Sequence, residues 1–122
     1  MKNSGDASFV HLFHLYKYNA KARKVSFELT RDQFGILTKG LCFHCGAEPS
    51  MPHKRLISNG AYLCNGVDRL DNKIGYTTEN SVSCCTRCNM MKKAMSAEEF
   101  FQACQAVSDH QKLKAPREIA AI

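Results

Sequence analysis

A small α+β domain, held by a staple as well as by its core, is the fold class this sequence predicts. Three observations carry it. The cysteines include two close pairs, Cys42-Phe43-His44-Cys45 and Cys85-Thr86-Arg87-Cys88. Between the pairs lie short extended segments, Ala61 to Cys64 and Gly66 to Asp71, set off by turn residues. On either side, apolar residues recur at helical spacing. Two Cys-x-x-Cys knuckles are the ligand set of a tetrahedral zinc ion, each pair biting from one turn. Four thiolates leave no open coordination position, so such a zinc is structural rather than catalytic.

Met1 to Ala7 is polar and reads as a frayed end. Phe9, Leu12, Phe13, Tyr16 and Ala20 then predict an amphipathic helix over Ala7 to Arg23. Lys17, Lys21, Arg23 and Lys24 cluster at its C-terminal end. There they complement the helix dipole or contact a polyanion. Val25 to Leu29 alternates and reads as a short strand or extended link. Thr30-Arg31-Asp32-Gln33 is a capping box. It opens a helix with Phe34, Leu37 and Leu41 facing the core and Gly40 as a left-handed cap.

Gly46 closes the first knuckle. Glu48 to Gly60, with Pro49, Pro52, Lys54 and Arg55, reads as an exposed loop suited to binding. Asn72 to Tyr76 is a turn in which Gly75 supplies positive φ, and Thr77 to Cys84 is the irregular second arm of a hairpin. Thr86 to Ala94 suits a short helix. Ser96-Ala97-Glu98-Glu99 is a second capping box, leading a helix with the stripe Phe100, Ala103, Cys104 and Val107. A mixed tail containing Pro116 follows. The chain thus divides into a helical, basic lead-in over residues 1–40, a stapled core over 41–95 and a C-terminal helix and tail over 96–122, all in one compact domain.

The chain has 122 residues and a formal charge of +6. A basic balance favours a polyanionic partner, though many small proteins share it. There is no tryptophan, and no interleaved basic–aromatic array of the kind that stacks single-stranded bases. Seven cysteines, paired at metal spacing, argue against a disulfide framework and for a reducing, cytoplasmic setting. The apolar run Phe9 to Leu15 is broken by His11 and His14, so no signal peptide is read, and no apolar run is long enough to span a membrane.

Residues Cys42 to Met95 resemble an HNH nuclease, a ββα-metal fold in the form that carries cysteine knuckles. The phrase NGVDRLDNKIGYTTENSVSCCTRCNMMKK is similar to a phage and intron-associated subgroup of that family. YKYNAKARKVSFELTRDQFGILTKGLCFHCG resembles that subgroup's lead-in, and the likeness spans residues 10 to 105. The resemblance implies a DNA endonuclease whose ββα unit enters the minor groove of a duplex. It maps Asp68 and Asn89 onto the ligands of one Mg²⁺ or Mn²⁺ ion, a hard cation that takes oxygen donors. Asn80 takes the place of the loop-tying asparagine.

Arg69 stands where the family usually carries a histidine, as the subgroup also tends to show. A guanidinium does not deprotonate, so Arg69 is no general base. It is suited to gripping a phosphate and stabilising transition-state charge. The base is then His44, His53, Asp71, or water activated by the ion itself. Lys54, Arg55, Lys92 and Lys93 are the candidate nucleic-acid contacts, Lys92 because it lies one turn beyond Asn89. Read singly, Asp68, Asp71 and Asn80 are ordinary turn residues, and only the combined pattern lifts Asp68. Cys64 and Cys104 read as buried apolar thiols, and Cys84 as a weaker ligand than Cys85.

So short a chain has no room for a large sequence-reading domain. Modest specificity, nicking, or reliance on a second copy or a partner protein is expected. The alternatives are a catalytically inactive zinc-stabilised module that binds nucleic acid, or a structural subunit whose knuckles hold an interaction surface.

Overall fold

A computed structural model of the chain describes residues 4–56 and 59–114. Its elements in order are α1 (Asp6–Ala22), α2 (Arg31–Thr38), β1 (Met51–His53), β2 (Tyr62–Cys64), β3 (Gly66–Arg69), β4 (Ser81–Cys84), α3 (Thr86–Lys92) and α4 (Ala97–Lys112). The strands form two antiparallel pairs, β1 with β2 and β3 with β4. In the second pair Gly66 faces Cys84 and Asp68 faces Val82. Helices at both ends around a central hairpin give the α+β class expected from the pattern. Val25 to Leu29 is an extended link that forms one isolated bridge, Phe27 to Tyr76, and packs Phe27 and Leu29 on the core. The frayed reading of residues 1–3 and the reading of the tail from residue 115 onward lie outside the described residues.

Two apolar clusters hold these elements. The larger gathers Leu12, Phe13 and Ala20 of α1 with Phe34 of α2, Leu29, Cys64, Val67 and Tyr76. Phe34 is its centre, fully buried, with the rings of Phe9, Phe13, Tyr16 and Phe27 around it. The contacts with Phe13 and Tyr16 are edge-to-face, a geometry that adds to the transfer of the rings out of water. The smaller cluster is Cys42, Cys84, Cys85, Cys88 and Phe100, with Ala47 and Met95 against it. Few aliphatic side chains stand in that second cluster, and this is the part of the molecule that needs a staple.

Both capping boxes form. The Gln33 amide donates to Thr30 Oγ1 at 3.1 Å and the Thr30 amide to Gln33 Oε1 at 2.9 Å. Ser96 and Glu99 make the same reciprocal pair, each at 3.1 Å.

Four local expectations fail for identifiable reasons. Glu48 to Gly60 is not all loop, because β1 occupies Met51–His53; its Pro52 sits opposite Leu63 on a two-stranded edge, where a missing N–H is tolerated. Gly40 and Gly75 are not among the positive-φ residues, which among the described residues are Gly5, Gly46, Gly60, Lys24 and Lys93. Those two glycines are needed for space instead: a Cβ on Gly40 would meet Ser83 Oγ at 2.7 Å, and one on Gly75 would meet the Ser26 carbonyl oxygen at 2.6 Å. Leu41 is 60% exposed, since α2 ends at Thr38 and the chain turns before reaching it. Of the α4 stripe only Phe100 is buried; Val107 is 64% exposed, and Ala103 and Cys104 also face solvent, because only the first turn of α4 reaches the smaller cluster.

Candidate active site

The first knuckle is a tight turn. The Cys42 amide donates to the Ala47 carbonyl and the Gly46 amide to the Cys42 carbonyl, both at 2.9 Å, with Gly46 at φ 78°. The Phe43 amide donates to the Ser83 carbonyl at 2.8 Å, which docks this turn on β4. The second knuckle is the start of α3: Cys85 is the N-cap, and its sulfur accepts from the Cys88 amide. The sulfurs of Cys42, Cys45, Cys85 and Cys88 lie within 4.8 Å of one another and could hold a metal ion. The Cys45 and Cys85 sulfurs are 3.7 Å apart, far beyond a disulfide bond. Burial opposes charge on Cys42, but amide hydrogen bonds from Cys85, Cys45 and His44 outweigh it and bring the thiol to about 6. Cys88 is pushed up by burial and by the thiols of Cys85 and Cys45. Cys84 packs beside this group without belonging to it and donates to the Cys85 carbonyl.

Asp68 sits mid-strand on β3, next to this cluster. Its Oδ2 lies 3.1 Å from Lys92 Nζ and 3.6 Å from His44 Nε2, with all three side chains at most 10% exposed. Lys92 also donates to the Arg69 carbonyl at 3.2 Å. Helical spacing puts Lys92 among the nucleic-acid contacts. It is instead wholly buried, because the turn of α3 that carries it packs inward on β3. Cys84 joins His44 and Asp68 in a second group with ligand spacing. The Lys92 ammonium, 3.1 Å from Oδ2 of that aspartate, opposes a cation there.

Asp68, Arg69 and Asn89 line one cleft of about 830 Å³, together with Tyr16, Arg23 and Lys93 among others. One wall is therefore α1 and the other the ββα unit. Arg69 reaches across the hairpin loop, donating to the carbonyls of Asn72 at 2.9 Å and Ile74 at 3.1 Å, with its guanidinium 5.3 Å from the Tyr76 ring centre. Asn80 ties that loop from inside. It accepts from the Asp71 amide at 2.9 Å and donates to the carbonyls of Asp71, Ile74 and Gly75 at 2.9–3.2 Å.

Of the candidate bases, His44 is nearest to Asp68, but its ring is packed edge-on to Phe100 behind the carboxylate and it does not line the cleft. His53 pairs with His11 on α1, its Nε2 at 2.9 Å from Nδ1, and Asp71 accepts the Lys73 amide in a turn. Lys54 and Arg55 follow β1, where the Arg55 amide donates to Ser8 on α1; they too are outside the cleft lining.

Two residues of the site are not singled out by their sequence context. Tyr16 looks like one more apolar helix position, yet its oxygen accepts from the Val67 amide at 3.1 Å and its ring borders the cleft. Burial pushes its phenol up to about 12, against the pull of that amide. Asn65, buried between β2 and β3, donates to the carbonyls of Gly40 and Ala47 and so joins the end of α2 to the first knuckle. A polar residue between Cys64 and Gly66 was the available signal.

The same architecture occurs in a solved structure, the rare-cutting HNH restriction endonuclease PacI. The match has a TM-score of 0.60, 24% sequence identity, and covers 88% of this chain and 82% of that one. This chain has an HNH-type fold. Within the HNH-type fold the β3–β4 hairpin and α3 are the ββα unit, with the cysteine cluster at its base. No family model matches the chain. The uncharacterised protein R423 of Acanthamoeba polyphaga mimivirus is 31% identical over 95 residues, which cover 78% of this chain. The chain spans 16% of that relative's length. No helix among the described residues is long and apolar enough to cross a membrane.

Proposed function

We propose that this chain is an HNH-type endonuclease, hydrolysing a phosphodiester of double-stranded DNA with one Mg²⁺ or Mn²⁺ ion and stapled by zinc. The observation that carries the reading is that Asp68, Arg69 and Asn89, drawn from a strand and a helix, line a single cleft on an HNH-type fold. A carboxylate and a neutral amide oxygen are a donor set for a hard cation that keeps some of its water. Bound there, the ion would polarise the scissile phosphate and lower the pKa of a coordinated water. Lys92 holds Oδ2 of Asp68, so Oδ1 is the oxygen left to serve as ligand. Arg69, braced on the loop carbonyls, has further N–H donors for a phosphate oxygen. Among the described residues no histidine lines the cleft, which favours water on the ion as the base; His44 Nε2 stands 3.6 Å from Asp68 Oδ2, behind the cleft.

The cysteine cluster fits zinc by geometry. Tetrahedral Zn–S bonds of about 2.3 Å put sulfurs about 3.8 Å apart, and the Cys45–Cys85 separation is 3.7 Å. A redox pair is not favoured when two pairs converge on one point.

One observation favours a second reading, a catalytically silent module that binds nucleic acid: a buried ammonium already sits on Asp68. Supercoiled plasmid with Mg²⁺ or Mn²⁺ decides between them. The endonuclease nicks it and Asp68→Ala does not. Salt-dependent retention of DNA with no strand broken by wild type would instead establish the silent module.

A further inference from the structure

Four cations cluster at the end of α1, but the fold sends them to different places. Lys17, Lys21 and Lys24 border a groove with Tyr18 and Phe27. Arg23 turns into the cleft that holds Asp68. Its guanidinium is steadied there by the Asn19 carbonyl and the Tyr76 hydroxyl, both at 3.4 Å. Across the cleft stands Lys93, exposed and lining the same space.

Lys93 is held in a costly conformation. It is the C-cap of α3 at φ 49°, ψ −124°. The Met95 amide donates to the Lys92 carbonyl at 3.0 Å, so residues 92–95 form a tight turn with Lys93 at its second position. These angles are those of a type II′ turn, whose second position is glycine's. A side chain there is strained, and such strain gathers where function fixes a residue. Burial of Lys92, Ser96 capping α4 and the Ala97 amide on the Leu70 carbonyl pin the turn on both sides.

We propose that Arg23 and Lys93 are the two jaws of a phosphate clamp. Together they grip the backbone of one nucleic-acid strand as it crosses Asp68, and Lys93 is kept in a glycine-like turn to face that strand. The clamp rests on the reading that the cleft takes nucleic acid. It goes further in giving α1, outside the ββα unit, half of the strand's binding surface.

The test is a salt series with a labelled mixed-sequence duplex in the absence of divalent ion, alongside thermal melting. Each phosphate neutralised by the protein adds about one to the steepness of log K against log salt. Arg23→Ala and Lys93→Gly should each lower that steepness by about one, Arg23→Lys should restore it, and Lys112→Ala, on exposed α4, should leave it unchanged. Lys93→Gly should also melt higher than wild type while binding more weakly. Unchanged slopes in Arg23→Ala and Lys93→Gly, with wild type binding normally, overturn the clamp. A lower melting temperature for Lys93→Gly overturns the strained placement. Wild type that binds with these slopes but never nicks plasmid leaves the clamp standing and removes the endonuclease; wild type that does not bind removes both.

Discussion

The Lys92 ammonium lies 3.1 Å from Oδ2 of Asp68, and the lysine side chain has no exposure to solvent at all. A cation is thus built into the carboxylate that is the proposed ligand of the catalytic ion. Each charge was taken out of water at a cost, and each compensates the other. Lys92 also fixes the β3 carbonyl at Arg69, so the pair locks α3 to the hairpin.

Breaking this pair from one side should therefore be expensive. Lys92→Ala is expected to lose about 3–5 kcal/mol, because it strands a buried carboxylate. Asp68→Asn with Lys92→Met, which removes both charges, should cost less than the sum of the single changes. Urea unfolding of the four proteins measures the coupling. Strict additivity would show that the two charges are not coupled in the folded state.

Asn80 offers a contrast, since its work is done inside the loop. Its amide satisfies three carbonyls and one N–H between Asp71 and Gly75. Asn80→Ala is expected to destabilise by about 3 kcal/mol, as several buried backbone groups lose partners at once. Nicking assayed well below the melting point should fall far less than in Asp68→Ala. An equal fall in both variants would place Asn80 in the chemistry.

How much of this is legible in the sequence depends on the range of the interaction. The capping boxes at Thr30 and Ser96 are local, set by residues three apart, and both helices start where the sequence says. The cysteine knuckles are legible for the same reason, each being one turn. The burial of Lys92 is not, because helical spacing puts it near Asn89 but cannot say which side of α3 packs on β3. Gly40 and Gly75 show a related limit. A sequence reveals that a side chain is missing there, not whether φ or a close neighbour requires it. The cleft wall supplied by Arg23 depends on how α1 lies against the hairpin, a long-range fact with no local signature.

The His11–His53 pair predicts an acid-sensitive contact between α1 and β1. Burial, and then the neighbouring His11, hold the His53 imidazole below its ordinary value. The folded state therefore binds fewer protons here than the unfolded state as pH falls below about 6.5. Stability from this pair is complete above that pH and declines as pH falls toward the folded value. The urea midpoint of wild type should drop between about pH 7.5 and about pH 5.5, and that of His53→Gln should drop less. Equal drops in the two proteins would put the acid sensitivity elsewhere.

Removing the proposed zinc should divide the molecule along its two clusters. A structural zinc contributes about 10–16 kcal/mol in small zinc domains, as much as the whole stability of about 5–15 kcal/mol of a typical domain. The smaller cluster here is built on metal-spaced cysteines, Cys84 and Phe100, with little else to hold it. The larger one is built of rings from α1 and α2 and contains none of the four grouped cysteines. Treatment with a chelator should first strip protection from the amides of α3 and the start of α4, where Cys85, Cys88 and Phe100 sit. Amides of α1 and α2 should remain protected longer. Hydrogen exchange before and after chelation, with zinc added back, reads this directly. If both clusters lose protection together, the two cores form one cooperative unit. If neither changes, the cysteines hold the fold without an ion.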